Sequence, residues 1–520
     1  MQTNHFDIAI IGGGPGGYAT ALRASQLGLS VALINREDRI GGTCLNRGCI
    51  PSKALITATR AMRNVGDAGR MGINARIGNV DFPKLAAFKD QAVTSMTDGL
   101  ASLLEARKVT VIRAEASITA PHTVSIEYSD GDDESTARIT SLQAEHIVVA
   151  TGSRPRPMPE QPFCGALIDS TQALALPRFP QSAVVIGAGA VAVEFASMWN
   201  AAGVDVTLLI RHERVLSHAH RRTAMALTRA LSKDGIHIVT HSEVTDIKVG
   251  SLPSELRHEP YNANSETAIT GSKADSEQPR DAVHDENPGL TGAIVTYHTD
   301  RDETEQQCKA DVVLSAIGRD PNTDGDWFAT ADIDLDEHRL VKTDAYGRTS
   351  QPGIWALGDI TPGPALAYHA FEQGIVIAES IAGLDLEPVN DDTIPEVVFS
   401  TPEFASVGLT IDEAKNRKDI IEAQETAYPM MGNARVLMSG EAASLSLVSG
   451  TYADRPDTPV VLGVHMLAPD AGDLIAEAEE LVGNRVSLSD AARLIHPHPT
   501  FSEALGETLL KADGRPLHTR

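Results

Sequence analysis

The chain opens on an apolar run, Phe6-Asp7-Ile8-Ala9-Ile10-Ile11, which gives way to Gly12-Gly13-Gly14-Pro15-Gly16-Gly17 and then to an amphipathic stretch over residues 18–27. Gly28 stops that stretch, and a second apolar run covers residues 30–34. Short apolar runs bounded by glycine predict buried strands, and the helical spacing between them predicts a connecting helix. The alternation returns downstream: an apolar run at 182–186, the turn Gly187-Ala188-Gly189-Ala190-Val191-Ala192, a helix at 193–202 and another strand at 204–210. Two strand–helix–strand units of this kind predict an α/β protein with two Rossmann-like dinucleotide-binding domains.

Further along, the runs at 394–399 and 460–466 read as strands and 471–482 as an amphipathic helix, so the last third is expected to form an α+β unit. Between a strand at 237–240 and one at 293–297, residues 251–290 are rich in Ser, Glu, Asp, Asn, Pro and Gly with few aromatics. A segment of that composition buries little apolar surface, so it is expected to be a solvated, partly mobile insertion, with regulatory docking as the alternative. The expected boundaries are 1–151 for the first nucleotide domain, 152–318 for the second with an insertion at about 250–292, 319–390 for a central segment, and 391–520 for the C-terminal domain.

Composition narrows the function classes. With 70 acidic against 44 basic residues the formal net charge is −26, which argues against nucleic acid and anionic membrane as partners. Four cysteines in 520 residues do not make a secreted disulfide framework, and the run at 8–11 is too short for a signal peptide or a membrane span. The cytoplasm is the expected location.

Candidate chemistry gathers at three places. Gly12, Gly14 and Gly17 form GxGxxG between a strand and a helix, where the backbone can approach a pyrophosphate lying on the helix N-terminus. The acidic residue that should bind a ribose about 20 positions later is replaced by Asn35, with Glu37 and Asp38 just beyond. Shortly after stand Cys44 and Cys49, five positions apart in Gly41-Gly42-Thr43-Cys44-Leu45-Asn46-Arg47-Gly48-Cys49-Ile50-Pro51-Ser52-Lys53. Sulfurs at this spacing come within disulfide reach in one helical turn, and a helix start lowers a thiol's pKa; the pair points to redox chemistry, with a structural disulfide or two buried thiols as alternatives. Two dinucleotide units beside such a pair place FAD in the first and NAD or NADP in the second. The third place is His496-Pro497-His498-Pro499-Thr500-Phe501-Ser502-Glu503. Its histidines suit proton transfer to and from a thiol; no further Cys/His cluster lies nearby, so no metal is expected.

The segment 41–53 resembles the redox motif of the flavin-dependent pyridine nucleotide-disulfide oxidoreductases, and its Ile-Pro-Ser-Lys ending resembles the dihydrolipoyl dehydrogenase branch most closely. Ala150-Thr151-Gly152, Ala316-Ile317-Gly318-Arg319-Asp320-Pro321-Asn322 and Gly353-Ile354-Trp355-Ala356-Leu357-Gly358-Asp359 follow in the family's order. The resemblance implies Cys44 as the sulfur that meets substrate and Cys49 as the one that meets the flavin. It also implies a Lys53–Glu194 pair near the flavin N5, Asp359 on the ribityl chain, and cofactor contacts from Thr43, Thr151, Gly152 and Gly318. His498 becomes the general acid/base, oriented by Glu503, and acts on the redox pair of the other subunit, so the C-terminal unit becomes the dimerisation domain of a homodimer. The implied reaction is oxidation of dihydrolipoamide, or another small dithiol, with association with a 2-oxo acid dehydrogenase complex. Two departures stand out: Arg47 occupies a position usually apolar, and Tyr368 stands where dihydrolipoyl dehydrogenases usually have His.

The second unit departs differently. Gly187 and Gly189 are followed by Ala192 instead of a third glycine, and the strand ends at Ile210-Arg211 where NAD-preferring members place Glu. Arg211 is suited to an adenosine 2′-phosphate, and the segment is similar to glutathione reductases; their second phosphate-binding arginine falls at Ser217, with His218, His220, Arg221 and Arg222 as substitutes. An NADPH-dependent small-disulfide reductase is therefore the competing reading. Members with an extra C-terminal redox pair are excluded, since the last cysteine is Cys308, and a catalytically idle subunit is disfavoured by the joint presence of Cys44, Cys49, His498 and Glu503.

Overall fold

β1 (His5–Ile11), α1 (Pro15–Gln26) and β2 (Val31–Asn35) form the first unit. α2 (Gly42–Arg47), α3 (Cys49–Asp67) and the long α4 (Phe82–Ala106) then lead to β3 (Thr110–Arg113), and β4 (Ser141–Val149) follows after a hairpin. The computed structural model describes residues 5–128, 140–257 and 290–519. In the first sheet the parallel order is β3-β2-β1-β4, so the chain reverses direction of travel between β1 and β4 and leaves a crevice beyond their carboxyl ends. Ile8 and Ile10 face one layer of core and Ala9 and Ile11 the other, the continuous apolar run expected of a strand covered on both faces.

β5 (Ser182–Ile186), α5 (Ala190–Ala201), β6 (Asp205–Leu209), α6 (Arg221–Lys233) and β7 (Val312–Ser315) build the second parallel sheet, ordered β6-β5-β7 at its centre. Both unit helices begin earlier than the apolar spacing indicates, directly after Gly14 and Gly189. Pro15 at the first helical position explains the first case, because its missing N–H has no partner to lose there. Most of the predicted polar insertion falls outside the described residues. Its flanks are joined: Gly250 N–H donates to Gly292 O at 2.9 Å and Ser251 N–H to Leu290 O at 3.0 Å.

The chain then returns to the first sheet. β8 (Ile354–Ala356) pairs with β4 in register Ile354↔Ile147, and α7 (Ala367–Ile381) lies across α1. That crossing depends on a missing side chain: a Cβ at Gly374 would sit 2.7 Å from Thr20 Oγ1 and 2.8 Å from Gly16 O. Finally β9 (Glu396–Val398), β10 (Glu403–Gly408), β11 (Ile420–Tyr428), α8 (Ala434–Ser439), β12 (Ser444–Tyr452), β13 (Val460–Ala468), α9 (Ala471–Gly483) and α10 (Glu503–Ala512) make an antiparallel sheet of order β9-β10-β13-β12-β11 with helices against it. No helix among the described residues is long and apolar enough to cross a membrane.

A buried imidazole stack joins the second and third sheets. His220, at the start of α6, lies on His465 of β13 with ring centroids 4.5 Å apart and planes 10° from parallel. His465 Nδ1 meets Ser406 Oγ at 2.6 Å and Nε2 meets Leu409 O at 3.2 Å. The carbonyl can only accept, so Nε2 carries the proton, and in the neutral ring Nδ1 accepts from the Ser406 hydroxyl. Burial, then the neighbouring His220, holds His465 down to about 3, and burial lowers His220 despite Glu425 nearby, with Arg222 opposing and Asp412 aiding protonation. His465 is thus neutral when folded at neutral pH and His220 is shifted in the same direction, whereas an unfolded histidine takes its proton near pH 6.5. For His465 this stability is complete above about pH 6.5 and declines by up to about 1.4 kcal/mol per pH unit as the pH falls, with His220 acting in the same direction. Thermal unfolding between pH 7 and 5 is expected to show this decline, with a shallower pH slope in His465→Gln; an unchanged slope would assign the dependence to other groups.

Candidate active site

The redox pair sits at a break in the helix. Cys44 lies inside α2, Gly48 bends the chain, and Cys49 is the first residue of α3. The single turn expected from the spacing is replaced by two helices because only glycine fits at the bend: a Cβ on Gly48 would stand 2.9 Å from Thr43 O. No side chain caps α3, so its first-turn N–H groups present their positive end to Cys49. Both sulfurs are free thiols here. The Cys44 S–H donates to Cys49, and this hydrogen bond, helped by Lys53, holds Cys49 down to about 7 against burial; the same bond together with burial pushes Cys44 far up. The environment thus fixes an order of ionisation, with Cys49 the thiolate and Cys44 the thiol.

One turn into α3, Lys53 Nζ donates to both oxygens of Glu194 on α5, at 3.0 and 2.9 Å. Glu194 also accepts from the Phe399 N–H at 3.1 Å, and the Lys53 ammonium stands 4.6 Å from the centroid of the Phe399 ring. The pair implied by the resemblance is therefore in place, and it ties all three sheets together beside the cysteines. Phe399 carries no sequence signal of this role.

Above the crevice the loop after β1 touches the loop after β4. Gly12 has φ +116°, and a Cβ there would lie 2.1 Å from Ala150 O; one on Gly17 would lie 1.9 Å from Gly12 O. Gly41 N–H donates to Gly13 O at 2.8 Å, which brings the starts of α1 and α2, with Thr43, side by side. No side chain caps α1, α2 or α5, so their first N–H groups remain for an anionic ligand. Asp359 is reached by Ser153 Oγ, which in turn accepts from Arg319 Nε at 2.6 Å. Arg319 belongs to the 316–322 motif, whose sequence carries no signal of this contact.

Several residues expected to contact a cofactor also bond to neighbouring protein groups. Asn35 is buried, and its Nδ2 already donates to Glu37 O at 2.7 Å and Arg39 O at 3.3 Å, so only Oδ1 is left to face a ribose. The Glu37 carboxylate is ion-paired with Arg47 of the redox segment. Thr151 and Asn322 exchange hydrogen bonds at 2.8 and 2.9 Å, and Gly152 and Gly318 flank an antiparallel ribbon, Ser153–Pro155 against Arg319–Pro321, where the chain crosses between the first two sheets. In the second unit, Gly187 has φ +133° and Ala192 is fully buried behind it, while Ile210 is buried and Arg211 exposed at the tip of β6. His220 cannot substitute for a phosphate-binding arginine, because it is committed to the imidazole stack and Glu425; Arg221 and Arg222 are exposed nearby.

The acid–base group lies on the third sheet. His498 Nδ1 is 2.6 Å from Glu503 Oε2, and the histidine side chain is 77% exposed. An ionised carboxylate only accepts, so Nδ1 carries the proton and Nε2 is the free base, directed outward. His496 is instead held inside by Glu477 at 2.8 Å, which raises its pKa and anchors the loop. Among the described residues no hydrogen bond or ion pair joins His498 or Glu503 to Cys44, Cys49, Lys53 or Glu194, and no cluster suited to a metal ion is found.

The chain matches the pyridine nucleotide-disulphide oxidoreductase family over residues 6–272 and 281–374, and that family's dimerisation domain over residues 394–509. It is 34% identical over 516 residues to dihydrolipoyl dehydrogenase 3 of Pseudomonas aeruginosa, covering 98% of this chain and 99% of the relative. With dihydrolipoyl dehydrogenase of Bacillus subtilis it is 32% identical over 525 residues, covering 99% and 100%. Its fold resembles the crystal structure of LpdA from Mycobacterium tuberculosis with a TM-score of 0.79 at 24% identity, over 97% of this chain and 99% of that one.

Proposed function

Since the chain belongs to the pyridine nucleotide-disulphide oxidoreductase family, we propose that it is a FAD-dependent dihydrolipoyl dehydrogenase that oxidises the dithiol of dihydrolipoamide and delivers the electrons to a nicotinamide nucleotide. The observation carrying this reading is the placement of Cys44 and Cys49 on the two sides of the Gly48 bend, with Lys53 one turn further donating to both oxygens of Glu194. End-to-end likeness to dihydrolipoyl dehydrogenases supports the choice of dithiol.

The first unit fits FAD: the uncapped starts of α1 and α2 meet where Gly41 N–H donates to Gly13 O and Gly42 lies against Gly14, and Thr43, Lys53 and Asp359 are the side chains that would hold the group. Bound there, FAD supplies an electron-pair relay between a thiolate and a nicotinamide ring. The chain's own part is thiol chemistry. His498 Nε2 of a second copy takes a proton from one dihydrolipoamide thiol, and the resulting thiolate attacks Cys44 Sγ of the oxidised pair. The Cys44–Cys49 bond breaks and Cys49 leaves as the thiolate its surroundings favour. The second substrate sulfur then displaces Cys44 and closes the lipoyl disulfide. Of the two substrate protons, one ends on Cys44 and one on His498, and the electron pair ends on Cys49.

A homodimer is part of this reading, because His498 points outward and Met71, Ile73, Met431, Leu437, Met438 and the 96% exposed Ile495 leave apolar surface uncovered on a single chain. A lipoyl group carried by a 2-oxo acid dehydrogenase complex is the natural substrate of such a site, and a cycling cysteine pair suits the reducing cytoplasm.

Anaerobic absorbance titration of the FAD-loaded protein is the test. Dihydrolipoamide is expected to reduce it, and glutathione disulfide is expected not to reoxidise the nucleotide-reduced form; the reverse pattern would overturn the assignment in favour of a disulfide reductase. The tip of β6 offers an exposed Arg211, while the nearby Glu213 is paired with Arg214 and Arg221, so Arg211→Glu is expected to weaken NADPH about tenfold and leave NADH nearly unchanged. Equal effects on both nucleotides would remove Arg211 from the 2′-phosphate site.

A further inference from the structure

Asn433, which precedes α8, is 2% exposed and has every polar atom placed. Its Nδ2 donates to Glu503 Oε1 at 3.1 Å and to Thr500 O at 2.9 Å, while Oδ1 accepts from Val436 N–H at 3.1 Å and caps α8. One side chain therefore holds the carboxylate of the acid–base pair, the loop bearing His498, and the start of a helix. Each Glu503 oxygen has one directional partner, Asn433 on Oε1 and His498 on Oε2 at 2.6 Å, so the amide fixes the plane in which the carboxylate meets the imidazole. Met431, Leu437 and Met438, on either side of Asn433, are among the exposed apolar residues proposed to face the second copy.

We infer that Asn433 is a positioning residue for thiol deprotonation, acting through Glu503 on His498 and joining the subunit contact to the acid–base pair. The inference rests on His498 being the base. A carboxylate left free to rotate no longer holds Nε2 at a fixed point, which lowers the rate of proton transfer without changing how substrate is held. Asn433 touches neither substrate nor sulfur, and the nucleotide-driven half-reaction does not use it.

Three variants separate positioning from capping. For a cap alone, Asp and Ser serve as well as Asn and Ala serves worst. For positioning, Asn433→Ser keeps a cap oxygen but loses the amide donor, and Asn433→Asp keeps the cap but turns a carboxylate toward Glu503. The FAD-loaded protein is expected to lose about tenfold in kcat with dihydrolipoamide for Ser and about a hundredfold for Asp, with KM changed less than twofold and flavin reduction by NADH at the parent rate. Thermal unfolding midpoints would rank Asp near the parent and Ala lowest. If kcat instead follows the capping order, with Asp near the parent, the positioning role is wrong. His498→Gln is run alongside: if it retains dihydrolipoamide turnover the functional reading itself fails, and if it loses turnover while Asn433→Ser and Asn433→Asp do not, only this inference fails.

Discussion

Cys49→Ser is expected to abolish dihydrolipoamide turnover, a loss of about four orders of magnitude or more, because no sulfur is left to carry the electron pair out of the thiol exchange. Cys44→Ser is expected to abolish the same turnover for a different reason, and the difference is measurable. Cys49 ionises near 7 chiefly because the Cys44 S–H donates to it, with Lys53 adding a positive charge one helical turn away. A serine hydroxyl preserves a donor, so Cys49 stays a thiolate near neutral pH; Cys44→Ala removes the donor and leaves burial to push the Cys49 pKa up. Alkylation of Cys49 by iodoacetamide, followed by mass spectrometry across pH 5 to 10, reads this directly, since only the thiolate reacts. Cys308, which burial raises to about 11, serves as an internal reference. If Cys49 ionises at the same pH in Cys44→Ala as in the parent, the hydrogen bond between the sulfurs is not what orders them. If Cys44→Ser retains turnover, the roles of the two cysteines have been assigned the wrong way round.

The second large effect joins two dead variants. His498→Gln is expected to lower dithiol oxidation by about two to four orders of magnitude, and Cys44→Ser abolishes it. When the two are co-expressed or dissociated and reassembled together, half of random dimers are mixed, and in each mixed dimer one site pairs the intact Cys44 of one chain with the intact His498 of the other. Activity is then expected to return to about a quarter of the parent's, the fraction set by statistics of a two-fold dimer. If His498 serves its own chain, no mixed dimer has a complete site and the mixture stays inactive. The outward orientation of His498 and the absence of any direct bond from it to the redox pair favour recovery.

What the sequence made legible follows from how local each signal is. The glycine turns were legible because φ near +116° at Gly12 and +133° at Gly187 leaves few other residues possible, and the cysteines because the chain has so few. The proximity of His498 and Glu503 needed only five residues of separation. Lys53 with Glu194 came through family resemblance, since nothing local in either segment points at the other across the fold. Phe399 and Asn433 were not legible at all: their partners lie 205 and 70 positions away, and a backbone N–H or an amide gives no pattern in composition or spacing. His220 shows the opposite case: it has the right chemistry and a plausible position, but the stacked ring of His465 and the Glu425 carboxylate occupy it, whereas Asn35 keeps Oδ1 free of the bonds that hold its Nδ2.

The return of the chain to its first sheet bears on how the protein is made. β1 to β4 are complete by Val149, yet their edge partner β8 and the helix α7 that covers α1 arrive only with Ile354 to Ile381. During synthesis at about 5–20 residues per second, the earliest-made sheet waits on the order of ten seconds or more with the Ile147–Val149 end of β4 unpaired on one side and α1 uncovered. The sheet built from β5, β6 and β7 needs nothing made later than Ser315 for its parallel strands and can close while the older one is still open. The order of closure on the ribosome is thus the reverse of the order of synthesis. During that wait the exposed strand edge of the nascent first sheet is the surface that a chaperone has most reason to guard.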